Sequence, residues 1–300
     1  MAASSPAWAW APVQAAPEPF SPAVESTLRS LEWLMVDVPL AGAVTPRVEA
    51  FLLRPAQPPG SPPPPCVLVP HGGPHGACLA AFSPPLAWLA GQGYAILQVN
   101  YRGSLGYGRA ALESLLGHAG TLDVADCMAA LDAAVARSLV DGARTAVWGG
   151  SHGGFLGAHL AGQHPGRFFA ACLRNPVTDI ASMSGVTDIP DWCFVETGGL
   201  GLAGYHESPS AAALAAMRAV SPVAHLDSVL APLLMLIGAK DRRVPPSNGL
   251  AYAHALRQRG IPVRVILFPE DEHPLARPRT ELESYAGLLA WLRAHEPMAR

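Results

Sequence analysis

TAVWGGSHGGF, running from Thr145 to Phe155, joins a short apolar run to a glycine-flanked serine and then passes into helical spacing. Thr145–Gly149 reads as a strand and 153–163 as a helix. Gly149 and Gly153 stand two positions before and two after Ser151. Glycines at both places permit a sharp, strained turn that lifts the serine hydroxyl out of the sheet at the start of a helix, as a nucleophile requires. The string G-x-S-x-G is weak alone; its place between strand and helix gives it meaning.

Outward from this turn the same grammar repeats. CVLVP (Cys66 to Pro70), YAILQV (Tyr94 to Val99), FFAACLR (Phe168 to Arg174), PLLMLIG (Pro232 to Gly238) and PVRVILF (Pro262 to Phe268) are apolar on both parities, as strands covered on two faces should be. Leu31 to Pro39 and Val48 to Arg54 add two strands nearer the amino end. Apolar positions at steps of three and four predict helices over 122–139, 153–163, 247–259 and 279–295. Short strands alternating with helices predict an α/β fold with a mostly parallel sheet and helices on both faces. Between them, Pro55 to Pro65 holds seven prolines in eleven positions and must be a loop, because prolines supply no backbone donors. Residues 1–30, rich in Ala and Pro without a period, are expected to be a poorly ordered lead-in to a single domain over 31–300.

Composition narrows the function. Half of the 300 residues are apolar and 14% are charged, which excludes an intrinsically disordered chain. Twenty basic against 23 acidic residues give a net charge of -3 and no electrostatic footprint for nucleic acid or an anionic membrane surface. The five cysteines are odd in number, widely spaced and without C-x-x-C, which points to a reducing compartment rather than a disulfide framework or a zinc ribbon. With no basic n-region before its short apolar stretch, and no apolar run of roughly 20 residues, the chain is expected to be soluble and cytoplasmic. Neither a P-loop nor a strand-linked G-x-G-x-x-G is present, so no cofactor and no metal are expected.

A serine nucleophile needs a base, and the base an orienting carboxylate. In this architecture the acid follows the serine and the histidine comes last, each on a loop after a later strand. Of eleven histidines, His273 lies just beyond PVRVILFP, whereas His254 and His295 fall inside predicted helices and His206 and His225 precede PLLMLIG. Asp241 follows PLLMLIG at the carboxyl end of a strand, where sites on parallel sheets are built. Asp271, two residues before His273, reads as a solvated loop carboxylate, and Arg242 and Arg243 as surface or packing charges. Oxyanion donors are expected from the backbone N–H of Gly73, in HGGPH directly after CVLVP, and from that of His152.

Six motifs in fixed order resemble those of one family: HGGPH, NYRGSLGYG (Asn100 to Gly108), GGSHGGF, RNPV (Arg174 to Val177), TDIPDWC (Thr187 to Cys193) and DRRVP (Asp241 to Pro245). The chain from about Leu31 to Leu292 is similar to the catalytic domain of the acylaminoacyl-peptidase branch of the prolyl oligopeptidase family of serine peptidases. The resemblance implies the α/β-hydrolase fold, a Ser151, Asp241, His273 triad, and Gly73 and His152 at the oxyanion; Arg102 and the TDIPDW loop are read as lying near the active site, Arg102 as a candidate substrate contact, with loop packing as the alternative for both. It also implies short N-acylated peptides as substrates, with a homo-oligomer as an open option. Members of this family carry an amino-terminal β-propeller over the active site. The first 30 residues here have neither the length nor the repeated strands for one, so a domain without that cap is expected. Two other functions fit the residues, a carboxylesterase acting on small acyl esters and an inactive domain that only binds a partner.

Overall fold

The computed structural model describes residues 21–40, 47–196, 201, 205 and 208–298. Among the described residues eight strands form one sheet: β1 (Leu31–Pro39), β2 (Arg47–Pro55), β3 (Pro65–Pro70), β4 (Ala95–Asn100), β5 (Asp141–Gly150), β6 (Ala170–Arg174), β7 (Leu233–Gly238) and β8 (Val263–Phe268). Their spatial order is β1-β2-β4-β3-β5-β6-β7-β8. β1 pairs antiparallel with β2 and β2 with β4, and every later pairing is parallel. The carboxyl ends of β3, β5, β7 and β8 therefore share one edge of the sheet, which brings the four loops that matter to one place.

Helices among the described residues include α1 (Pro22–Arg29), α2 (Pro84–Gly91), α3 (Arg109–Glu113), α4 (Leu122–Ala136), α5 (His152–Gln163), α6 (Ile180–Met183), α7 (Pro190–Val195), α8 (Ala211–Ala219), α9 (Pro246–Gln258) and α10 (Pro278–His295). Strand alternation divides the core in two. Leu52, Leu97, Leu68, Val147, Leu173 and Met235 face one way and pack with α4, α5 and α9. Leu53, Ile96, Val67, Ala146, Cys172 and Leu234 face the other way, against α2 and α10. Side chains of successive strand residues point to opposite faces, so strands apolar on both parities need cover on both sides. Among the described residues no helix is long and apolar enough to cross a membrane.

Differences from the sequence reading have local causes. α1 occupies 22–29, inside the stretch expected to be poorly ordered; the Ser21 hydroxyl caps it and proline stands in its first turn, a helix start that composition obscured. Thr27 of α1 lies against Gly91 of α2, where a Cβ would strike its methyl. Residues 1–20 lie outside the described residues. β5 begins at Asp141, four residues earlier than expected, and β6 starts only at Ala170. α2 carries four buried apolar residues and no polar stripe to reveal a period.

Candidate active site

Ser151 stands between the last residue of β5 and the first of α5, with φ 58° and ψ -121°. A non-glycine residue at positive φ is strained, and the surroundings hold it there. Its N–H donates to Arg174 O at 2.9 Å and its carbonyl accepts from Phe155 N–H at 2.9 Å. Both flanking glycines are required by close packing. A Cβ at Gly149 would fall inside the Gly153 carbonyl, and one at Gly153 inside the Pro70 carbonyl. The turn therefore also presses α5 against the end of β3.

Asp241 lies on the turn after β7 and His273 on the loop after β8. The two meet with Nδ1 of His273 2.7 Å from Oδ2 of Asp241. A carboxylate only accepts, so Nδ1 carries the proton and Nε2 is left with its lone pair. The other carboxylate oxygen accepts from Arg243 N–H at 2.8 Å and Val244 N–H at 3.0 Å. The Asp241 side chain is wholly buried, while that of His273 is 21% exposed, enough to reach a bound substrate.

Ser151, His273 and Gly73 line one cavity of about 330 Å³ together with Val177, Met183, Ile189, Trp192, Arg243 and Val244. Gly73 sits at φ 124°, a conformation open to glycine, and its N–H and that of His152 are used in no hydrogen bond within the described residues. Both are the kind of free donors that an oxyanion needs. The His152 ring is elsewhere. It is wholly buried, with Nε2 2.9 Å from Oδ2 of Asp123, whose Oδ1 accepts from Gly120 and Val124 N–H.

Two residues of the oxyanion loop titrate away from the ordinary histidine value. His71, stacked on Tyr101 with Nε2 bonded to Ser104 Oγ, is pushed down to about 4 by burial, so it stays neutral. His75 is raised, chiefly by its hydrogen bond to Glu196, and its other ring nitrogen donates to Gly103 O at 2.9 Å. Acceptors at both nitrogens call for the imidazolium.

Arg102 does not line the cavity. Its guanidinium clamps the wholly buried Asp126 of α4 at 2.7 to 3.1 Å, and its backbone N–H bonds the same carboxylate. A guanidinium so engaged ties the NYRGS loop to α4. Asp271 is not solvated: it is 4% exposed and its Oδ2 accepts from Thr280 Oγ1 at 2.6 Å, tying the His273 loop to α10. Arg243 is, as expected, an exposed charge, paired with Asp188, and it also forms part of the cavity wall.

The sequence left the coupling of TDIPDW to DRRVP unread. Arg243 pairs with Asp188 through Nε and Nη2, Asp188 N–H donates to Arg242 O, and Thr187 Oγ1 to Arg243 O. Trp192 Nε1 donates to Gly73 O at 3.2 Å. The TDIPDW segment thus bridges the acid loop and the oxyanion loop while Ile189 and Trp192 wall the cavity. Opposite charges at Asp188 and Arg243 were the available signal, but 55 positions apart they select no partner by themselves.

Residues 80–296 match the family described as Prolyl oligopeptidase family. The chain is 43% identical over 301 aligned residues to the acylamino-acid-releasing enzyme of Arabidopsis thaliana, covering 98% of this chain and 39% of that one. It thus spans well under half the length of that relative. A puromycin-hydrolyzing peptidase of Mycobacterium tuberculosis superposes with a TM-score of 0.78 at 29% identity, covering 90% of this chain and 40% of that one. An acylaminoacyl peptidase of Pyrococcus horikoshii shares the fold, with a TM-score of 0.80 at 21% identity over 93% of this chain and 44% of that one.

Proposed function

The chain belongs to the prolyl oligopeptidase family, and from that premise we propose that it is a serine peptidase domain, over residues 31–300, that releases N-acylated amino acids from the amino end of short peptides. The observation that carries this reading is the cavity shared by Ser151, His273 and Gly73, with Asp241 bonded behind His273. His273 Nε2 takes the proton of Ser151 Oγ as that oxygen attacks the carbonyl carbon of the acylated residue. The oxyanion that forms is held by the N–H groups of Gly73 and His152. Collapse breaks the C–N bond, and His273 returns the proton to the leaving amine. Water, deprotonated in turn by His273, attacks the acyl carbon; the ester C–O bond breaks, His273 returns the proton to Ser151 Oγ, and the acyl amino acid is freed.

The lining supports an acylated amino end. Val177, Met183, Ile189, Trp192 and Val244 are apolar, and Arg243 is the cation that joins them in the lining. A free α-ammonium would have to shed its water beside a guanidinium, whereas an acyl amide is neutral. The 43% identity to an acylamino-acid-releasing enzyme points the same way. The scattered, odd set of cysteines supports a reducing cytoplasmic setting.

The test compares N-acetyl-alanyl p-nitroanilide, alanyl p-nitroanilide and p-nitrophenyl butyrate. The acetylated anilide is expected to be turned over with kcat/KM at least about 10-fold above the unblocked one, since about 1.4 kcal/mol suffices for that preference. Cleavage of the butyrate alone would replace this reading with an esterase. A folded protein that a fluorophosphonate leaves unlabelled at Ser151 would replace it with a binding domain.

A further inference from the structure

β6 lies between β5, which leads to Ser151, and β7, which leads to Asp241, yet supplies none of the residues assigned a chemical role. Its end is nevertheless the crossing point of the site. Asn175, the next residue, is 3% exposed and sits at φ 38°, a region that asparagine tolerates better than most residues. Its N–H donates to Leu236 O at 2.9 Å, which anchors it to β7. The side-chain amide then spans two loops. Oδ1 accepts from Gly238 N–H at 2.8 Å, and Nδ2 donates to His273 O at 2.9 Å.

The orientation of this amide follows from its partners. Gly238 offers a donor and His273 O an acceptor, so the flipped amide would face like against like on both sides. Arg174 adds a parallel tie, with Nη2 donating to Pro274 O at 2.6 Å while its own carbonyl holds Ser151 N–H. Gly238 is in turn packed backbone to backbone against Asp271 and Glu272, where a Cβ would collide with both carbonyls. Nucleophile, acid strand and histidine loop are thus referenced to residues 174 and 175.

We propose that Asn175 is a positioning residue: its amide fixes the His273 peptide against the end of β7 and so aims the imidazole, already bonded to Asp241, at Ser151. This rests on the assignment of His273 as the base. An error of about 1 Å in such an aim costs on the order of 100-fold in rate. The segment RNPV therefore stands in the sequence for geometry rather than for contact with substrate.

The test uses the full chain with Asn175→Asp, which keeps the shape and the acceptor for Gly238 but removes the donor to His273, and with Asn175→Ala. Turnover of N-acetyl-alanyl p-nitroanilide is expected to fall about 10- to 100-fold in kcat with KM within about twofold. The low-field proton resonance of the His273 to Asp241 hydrogen bond should weaken or vanish in both. That resonance needs no substrate, so a wild-type chain that shows it without turning over the anilide fails the functional reading alone. Should the Asn175 variants not fold, Arg174→Gln at the partly buried rim tests the parallel tie, with a loss of about threefold or more in kcat expected. Unchanged kcat and an intact resonance in whichever variants fold overturn the proposal.

Discussion

Nδ1 of His273 lies 2.7 Å from Oδ2 of Asp241, although 32 positions separate them in the chain. The contact exists because β7 and β8 are parallel neighbours in register, Gly238 opposite Phe268, so the loops that follow leave the sheet side by side. Asp241→Asn keeps the shape but offers Nδ1 an amide in place of a carboxylate. A fall in kcat of about 10⁴ is expected, from loss of the tautomer that leaves Nε2 free. Steady-state turnover of N-acetyl-alanyl p-nitroanilide checks it, with near-wild-type kcat counting against the assignment.

Asp271 makes the contrasting case. Its carboxylate is buried against Thr280 Oγ1, at the start of α10, and takes no part in the proposed proton transfers. Asp271→Ala is expected to lower unfolding free energy by about 1 to 3 kcal/mol, the cost of an unpaired buried hydroxyl and a lost bond. Thr280→Val should cost a similar amount, and the double variant less than their sum. Urea unfolding of the four proteins measures this; equal stability throughout would show that the bond contributes nothing.

The Asp188 to Arg243 pair is 37% and 48% exposed, so its worth to stability should be at most about 1 kcal/mol. Its effect is expected on substrate binding, because it fastens the segment bearing Ile189 and Trp192. Asp188→Asn should raise KM by about three- to tenfold with little change in kcat, as loss of uniform binding does. Wild-type KM should rise with salt, and the variant's should not. An unchanged KM in the variant would detach the segment from binding.

Acid lability follows from two buried histidines. Burial holds His71 down to about 4 and His159 down to about 3. His159 donates Nε2–H to Val220 O and accepts at Nδ1 from Gln163, so a second proton has no place. The unfolded chain binds these protons near the ordinary value of 6.5, so it holds more protons than the folded one below that pH. Stability is therefore complete above about 6.5 and is lost as pH falls toward the folded values, by at most about 1.4 kcal/mol per pH unit per histidine. The raised His75 has the opposite sign: its pairing with Glu196 stabilises below the ordinary histidine value and fades as pH rises through the folded one. Unfolding free energies at pH 7 and 5 should show a net loss of about 2 kcal/mol or more, and a flat profile would contradict the two neutral histidines.

The strand grammar and chain order made the sheet legible, and the loops on which Ser151, Asp241 and His273 stand, because both are set by local patterns: runs apolar on both parities, and punctuation at the carboxyl ends of strands. Gly149 and Gly153 were legible for the same reason, since a tight turn writes its need for glycine next to the serine. Arg102 stayed open between substrate contact and packing because one cation in a loop looks the same whether it meets substrate or a buried Asp126 24 positions away. Asp271 was misread because the burial of a loop carboxylate depends on α10 folding over it. The role of Asn175 was invisible for a related reason, as its partners Gly238 and His273 are 63 and 98 positions distant.

The proposed reaction passes through an acyl-enzyme formed on Ser151 from an N-acylated residue. Acid quench of the chain mixed with excess N-acetyl-alanyl p-nitroanilide, followed by mass analysis of its peptides, tests it most directly. One added acetyl-alanyl group is expected on the peptide containing Ser151, and neither adduct nor turnover in Ser151→Ala. An adduct on another residue, or undiminished turnover by Ser151→Ala, would contradict it.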